Sequence, residues 1–162
     1  WVYEKATSSN DLAWDLAVKD EPEGGVVFAE TQTKGRGRLG RSWFSPKQKG
    51  LWFSVILRPQ LQPVYVPMIT IVSSIAVAKA ITKYTGVSVW IKWPNDIYVN
   101  GKKVGGILTE MNTELDRIRF VILGIGININ LQPQDFPEEF RDKAASIRCS
   151  RIELIKDVLV SL

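Results

Sequence analysis

Three segments of this sequence gather residue types that bind and activate anionic or flat ligands. The first, Gln32-Thr33-Lys34-Gly35-Arg36-Gly37-Arg38-Leu39-Gly40-Arg41-Ser42-Trp43, sets three glycines among three arginines. Glycine lets the backbone turn at positive φ and bring N–H groups close to a ligand. Arginine grips phosphate through a bidentate fork, and Trp43 offers an aromatic face to a flat ring. The segment is not a Walker loop, since no Gly-Lys-Ser/Thr follows. It is not a Rossmann fingerprint either, since the glycine spacing differs and a loop comes next. Phosphate binding, single-stranded nucleic-acid binding and a plain basic loop all fit these residues. A loop of this composition is expected to be mobile without ligand and to order over a bound nucleotide, as lids do.

The second segment is Lys92-Trp93-Pro94-Asn95-Asp96, followed by Asn100-Gly101-Lys102-Lys103-Val104-Gly105-Gly106. Asn-Gly is the strongest two-residue hairpin signal. With that turn, Val99 pairs with Lys102, Tyr98 with Lys103 and Asp96 with Gly105. Asp96 and Lys103 then lie on one face as diagonal neighbours. A surface ion pair of little energetic worth fits this pattern. So does a working pair, in which Lys103 neutralises a carboxylate or phosphoryl oxygen while Asp96 orients it or holds Mg²⁺. Gly105-Gly106 leaves room for a ligand or backbone to approach.

The third segment is Leu123-Gly124-Ile125-Gly126-Ile127-Asn128. Alternate glycines clear one face of a strand, which suits a flat ligand lying on a sheet. Asn128 supplies a donor and an acceptor able to read an adenine edge. A bulge or close-packing glycine pair explains the same glycines.

The elements that must position these segments read as follows. Trp1 to Ala6 is a short strand, Ser8 or Ser9 caps a helix, and Val26 to Glu30 and Leu51 to Leu57 are strands. Met68 to Tyr84 is apolar nearly all round and is expected to be a buried helix, stopped at Gly86. Val87 to Lys92 is a strand, Asp96 to Val99 and Lys102 to Glu110 form the hairpin, and Arg117 to Leu123 is a further strand. Pro137 to Lys143 and Ser150 to Leu162 are expected to be helical. Hairpins mixed with helices predict an α+β domain.

Composition limits the chemistry. The 162 residues suit one domain, and they contain no histidine and one cysteine, Cys149. Ser-His-Asp and Cys-His catalysis, histidine metal sites and an internal disulfide are excluded. Cys149 reads as a half-buried side chain rather than a nucleophile, and a reducing, cytoplasmic compartment is expected. Between Glu30 and Asp96 there are ten basic residues and no acidic one. Such a block meets an anionic partner or forms a solvated basic face. The apolar run Met68 to Ala80 is interrupted by Thr70, Ser73, Ser74 and Lys79 and reads as too short to span a bilayer. The absence of an initial Met, and an end inside an apolar-periodic segment, suggest a piece of a longer protein.

Taken together, Ser8-Ser9-Asn10, the glycine-arginine loop, Lys92-Trp93-Pro94-Asn95-Asp96, Lys102-Lys103-Val104-Gly105-Gly106-Ile107-Leu108 and Gly124-Ile125-Gly126-Ile127-Asn128 resemble the motif set of the biotin protein ligase family, in order and over nearly the whole chain. The resemblance implies a mixed, largely antiparallel sheet backed by helices, similar to the class II aminoacyl-tRNA synthetase core. It implies that residues 1–162 are the catalytic domain, cut short of the family's small C-terminal β-barrel. The implied reaction joins biotin to ATP as biotinyl-5′-AMP, then transfers biotin to a lysine of a biotin carboxyl carrier domain.

The resemblance also implies roles. Ser8, Ser9 and Gln32, with backbone groups at Gly35 and Arg36, would hold the ureido ring of biotin, and Gly106, Gly124 and Gly126 would line the pocket. Arg38 and Arg41 would meet phosphates, and Trp43 would wall the nucleotide pocket. Asn95 and Asp96 would serve ATP, Asp96 with Mg²⁺. Lys103 would contact the activated carboxyl and Asn128 the base. Arg38, Asp96 and Lys103 would carry the catalysis. Strand edges would allow a homodimer, no membrane is expected, and nothing in these residues supports DNA binding. A lipoate-type ligase of related fold and a nucleic-acid-binding module are the alternatives.

Overall fold

The computed structural model describes residues 1–162, in the order β1 (Val2–Tyr3), α1 (Ser9–Val18), β2 (Val26–Ala29), β3 (Gly50–Leu57), α2 (Val66–Thr85), β4 (Val89–Lys92), β5 (Asp96–Val99), β6 (Lys102–Glu114), β7 (Arg117–Asn128) and α3 (Arg151–Ser161). The strands form one sheet ordered β1-β2-β3-β7-β6-β5-β4. All neighbours are antiparallel except β1 and β2. This is the expected α+β domain with a mixed, largely antiparallel sheet.

Alternation along β7 divides its side chains between two faces. Leu123, Ile125 and Ile127 enter the main core with Phe53, Val77, Ile81, Ile97 and Val104, covered by α2 and α3. Phe120 and Ile122 face the other way and pack with Val27, Ile56, Ala13 and Ala17 under α1. Helix α1 is short, so it covers only one end of that face. Gly124 lies under Asn10 in its first turn, the end bearing Gly126 and Gly106 is left to Trp43, and the glycine-arginine loop crosses there.

Helix α2 departs from expectation. It begins earlier, with Pro67 in its first turn where a missing N–H costs nothing, and Gly86 ends it in the left-handed region at φ 67°. It is not buried all round. Met68, Val72 and Ile75 are exposed, Met68 at 58%, whereas the hydroxyl residues Thr70, Ser73 and Ser74 are buried. The reason is hydrogen bonding. Ser74 Oγ donates to the carbonyls of Thr70 and Pro94, and the Thr70 and Thr109 hydroxyls are 2.7 Å apart. The helical stretch Pro63–Thr85 is longer than the run read from sequence, and 18 residues within it, of mean hydropathy 1.8, reach by length and composition what a bilayer span requires. Its inner face is that of a core helix, docked on the sheet through these hydroxyls.

Smaller differences also have causes. Residues 137–143 form only a short 3₁₀ turn, Glu138–Phe140, not an α-helix, because the chain then turns to run beside Lys103. The Lys103 N–H donates to Lys143 O, and Ala145 N–H donates to Lys103 O. Strands β6 and β7 extend past the residues expected for them. Helix α3 is capped by Ser150, whose hydroxyl accepts from Glu153 N–H, and is tied to α2 by the Lys83–Asp157 ion pair. The hydrogen bond from Lys83 lowers the Asp157 carboxyl below its ordinary value, against an opposing effect of burial. A carboxyl lowered on folding stabilises above its unfolded value and loses that contribution as pH falls through the folded one. Between about pH 6 and pH 2.5 the urea midpoint of the protein is therefore expected to fall more steeply than that of Asp157→Asn. Parallel curves would show that the pair contributes nothing.

Candidate active site

The glycine end of the sheet carries a narrow cleft, open on one side. Its floor is Gly106, Gly124 and Gly126. Ser8, Ser9 and Gln32 line one end, Asn95 and Lys103 the other, and Arg36, Gly37, Arg38 and Trp43 the roof. Segments separated by some hundred residues of chain therefore meet at one place.

Ser8 is the N-cap of α1 in extended backbone, φ −152°. Its side chain makes no capping bond, and it is buried. Gln32 serves the first turn instead: its Oε1 accepts from Ser9 N–H at 2.7 Å while its Nε2 donates to Ser45 Oγ at 2.8 Å. Beneath them Ser54 Oγ donates to Ser9 Oγ and to Asn10 Oδ1, at 2.8 and 2.6 Å. Gly35 is walled in, for an added Cβ would stand 2.8 Å from Ser45 Oγ. Gly35 itself is not part of the cleft lining, and its carbonyl accepts from Trp43 N–H at 2.8 Å.

Trp43 packs against Gly126. A Cβ there would come within 2.7 Å of the indole Nε1, so glycine is what admits the ring. Trp52 supports it edge-on from below, with centroids 6.3 Å apart. The Trp43 Nε1–H is buried without a hydrogen-bond partner, a costly state for a donor. Lys103 Nζ sits 5.3 Å from the centre of the same ring and donates to Asp96 Oδ1 at 2.7 Å. The ammonium is thus fixed between a carboxylate and an aromatic face.

The Asp96–Lys103 neighbourhood expected from the hairpin is present, but the register differs. Asp96 opposes Gly106, and Ile97 opposes Gly105, because a bulge interrupts the ladder after Tyr98–Lys103. The extra residue, Val104, turns into the core. Without that bulge the expected pairing of Asp96 with Gly105 would hold.

Arg38 Nη1 donates to Asn95 Oδ1 at 2.9 Å, and Asn95 Nδ2 donates to Ile107 O. Asn95 therefore holds Arg38 against β6. Arg41, Asp96 and Asn128 stand outside the lining of the cleft. The Asn128 amide donates to Ala145 O at 2.9 Å and ties down the chain at residues 144–147. Cys149, whose thiol burial raises above its ordinary value, is no part of the cleft.

Sequence reasoning placed Asn10 in a motif without a role and missed Glu110. Asn10 is buried at the cleft wall, its Nδ2 donating to Glu110 Oε2 at 2.7 Å. Glu110 also receives both Nη1 and Nη2 of Arg36, each at 2.8 Å. Alternation from Gly106 through Leu108 to Glu110 was the available signal, since it places all three on one face.

Residues 3–128 match the Biotin/lipoate A/B protein ligase family. The chain belongs to that family. It is 49% identical over 141 residues to the bifunctional ligase/repressor BirA of Bacillus subtilis, covering 87% of this chain and 43% of that protein. It is 31% identical over 138 residues to the biotin–[acetyl-CoA-carboxylase] ligase of Mycobacterium tuberculosis, covering 83% of this chain and 50% of that one. The chain thus spans half or less of the length of these two relatives. Among solved structures of the family, the biotin protein ligase of Aquifex aeolicus in complex with biotin and ATP superposes with a TM-score of 0.81 at 33% identity, over 99% of this chain and 67% of that one. The Leishmania major enzyme in complex with biotinyl-5-AMP gives 0.80 at 28%, over 99% and 71%.

Proposed function

We propose that this chain is the catalytic domain of a biotin protein ligase. It joins biotin to ATP as biotinyl-5′-AMP with release of pyrophosphate, then passes the biotinyl group to the ε-amine of a lysine on a biotin carboxyl carrier domain with release of AMP. The observation that carries this reading is the convergence of Ser8-Ser9, the glycine-arginine loop, Lys103 and the Gly124/Gly126 strand on one cleft, in a chain of this family.

The first step requires no protein nucleophile. It requires the carboxylate held in line with the α-phosphorus and cations that offset charge on the crowded phosphate. Lys103, pinned by Asp96, contacts the carboxyl group, and Arg38 meets the phosphates; Arg41, outside the cleft lining, joins it only if the loop shifts on binding. Ser8, Ser9, Gln32 and backbone at Arg36, with Gly35 behind it, take the ureido ring beside Gly106, Gly124 and Gly126, where Asn10 and Trp43 cover the glycine faces. Trp43 walls the nucleotide side. Asn95 acts on ATP through Arg38, and Asn128 acts through the 144–147 chain that it secures.

The donor set fits Mg²⁺ only in part. No three acidic or cysteine side chains gather anywhere in the chain, so Asp96 would be one protein ligand beside ATP phosphate oxygens, a common arrangement for this ion. Bound there, Mg²⁺ would neutralise phosphate charge. The carrier domain approaches from the open side of the cleft, and the strand edges would allow a homodimer.

The test mixes the protein with biotin, Mg·ATP and a biotin carboxyl carrier domain, with lipoate as competitor. The expected result is a biotin mass shift on one carrier lysine, with no lipoyl product. Folded protein that neither binds biotin nor forms biotinyl-AMP would overturn the reading. Lipoyl transfer in its place would move the assignment to the lipoate branch, and salt-sensitive oligonucleotide binding untouched by ATP and biotin would favour a nucleic-acid module.

A further inference from the structure

The glycine-arginine loop is anchored at its two ends, where Lys34 N–H donates to Thr7 O and Trp43 packs on Gly126. Between those ends two side chains tie it across the cleft. One is Arg38 on Asn95. The other is Arg36, whose guanidinium takes both oxygens of Glu110 at 2.8 Å and stands 2.8 Å from Asp11 Oδ1. One cation thereby joins the loop to α1, which carries Asp11, and to β6, which carries Glu110. The carboxylate it meets is already fixed. Asn10 Nδ2 holds Glu110 Oε2, Asn10 Oδ1 accepts from Ser54, and Ser54 reaches Ser9 at the cleft wall. Ser9, Asn10 and Ser54 are all buried.

We propose that Glu110, assisted by Asp11, is a positioning residue that holds the loop shut over the cleft through the Arg36 side chain. The geometry is independent of the ligase reading. Its consequence for catalysis rests on that reading: a shut loop keeps Arg38 at Asn95 and shields the mixed anhydride from water. A bidentate arginine–carboxylate pair fixes direction as well as distance. The side chains of Arg36 and Glu110 are 41% and 26% exposed, so solvent and salt weaken the pair. The latch can therefore open for substrates and products.

Lys34, Arg36, Arg38 and Arg41 make the loop a natural trypsin target, and cleavage of the native protein counts its openings without any ligand. In Glu110→Gln, an isostere that keeps an acceptor, cleavage within residues 34–41 is expected to be about tenfold faster, since proteolysis follows the open population. The urea midpoint should stay near that of the parent protein. Adding about 0.5 M NaCl to the parent protein should move cleavage the same way. AMP released per biotin attached should rise about fivefold as the intermediate meets water. Cleavage unchanged in Glu110→Gln would overturn the proposal. So would faster cleavage matched by an equal loss of global stability, which marks a merely structural residue. Faster loop cleavage in a protein that makes no biotinyl-AMP would uphold the latch and remove the ligase reading instead.

Discussion

Lys103→Met is expected to lower the rate of biotinyl-adenylate formation by about 10²–10³-fold, the usual loss when one preorganised charge is removed from a site where charge develops. Pyrophosphate release at saturating ATP and biotin measures it. Methionine keeps most of the length and the apolar stem of the side chain, so what is lost is the ammonium, together with its contact over the Trp43 ring. The fold should not suffer, because Lys103 is held in the sheet by its backbone. Biotin affinity is expected to change far less than kcat, since an interaction made mainly in the transition state appears in kcat. A rate within threefold of the parent protein would remove Lys103 from the chemistry. Asp96 would then be half of an ordinary ion pair.

Gly124→Ala is expected to cost about 2–4 kcal/mol, combining overpacking with hydrogen bonds broken in a buried network. A Cβ at position 124 overlaps the carboxamide of Asn10. That group cannot step aside cheaply, because Ser54 and Glu110 hold it from opposite ends. For a domain of this size the loss corresponds to a fall of roughly 5–15 °C in Tm. Biotin binding should weaken at the same time, since Ser9 is tied to Ser54. Calorimetric melting and biotin titration measure both effects. A variant with unchanged Tm and affinity would mean that the strand carries glycine there for another reason.

The local chemistry of the site was legible in the sequence because it is written in short spacings. The Asn100-Gly101 turn fixes the hairpin, and the hairpin brings Lys103 beside Asp96. Alternation places Gly124 and Gly126 on one face, and arginine among glycine marks the loop. What was not legible depends on contacts between distant residues. Val104 bulges into the core because the packing of the sheet on α2 rewards it, and no local signal announces that choice. The two faces of α2 were not legible for the same reason: Ser74 is inside because Pro94 offers it a carbonyl. Glu110 gains its importance from Arg36, 74 positions away in the chain, and a glutamate on a strand says nothing of that partner by itself. Trp43 could be read as a wall, but not as a ring seated on Gly126, because the seat is made by a strand far along the sequence.

The sheet order has a consequence for how the molecule comes into being. Strand β7 lies at the middle, between β3 and β6, and is the last strand to be made. Residues 50–57 emerge long before residues 121–128 that complete them. A growing chain therefore carries its glycine-arginine loop and β3 without a central partner, and such non-local pairings form slowly because loop closure precedes the reward. Until β7 arrives, β3 presents an unpaired apolar edge, the kind of surface that aggregates. A chain stalled ahead of residue 121 should need a chaperone to stay in solution, and release of the last strand should complete the sheet and the floor of the cleft in one cooperative event.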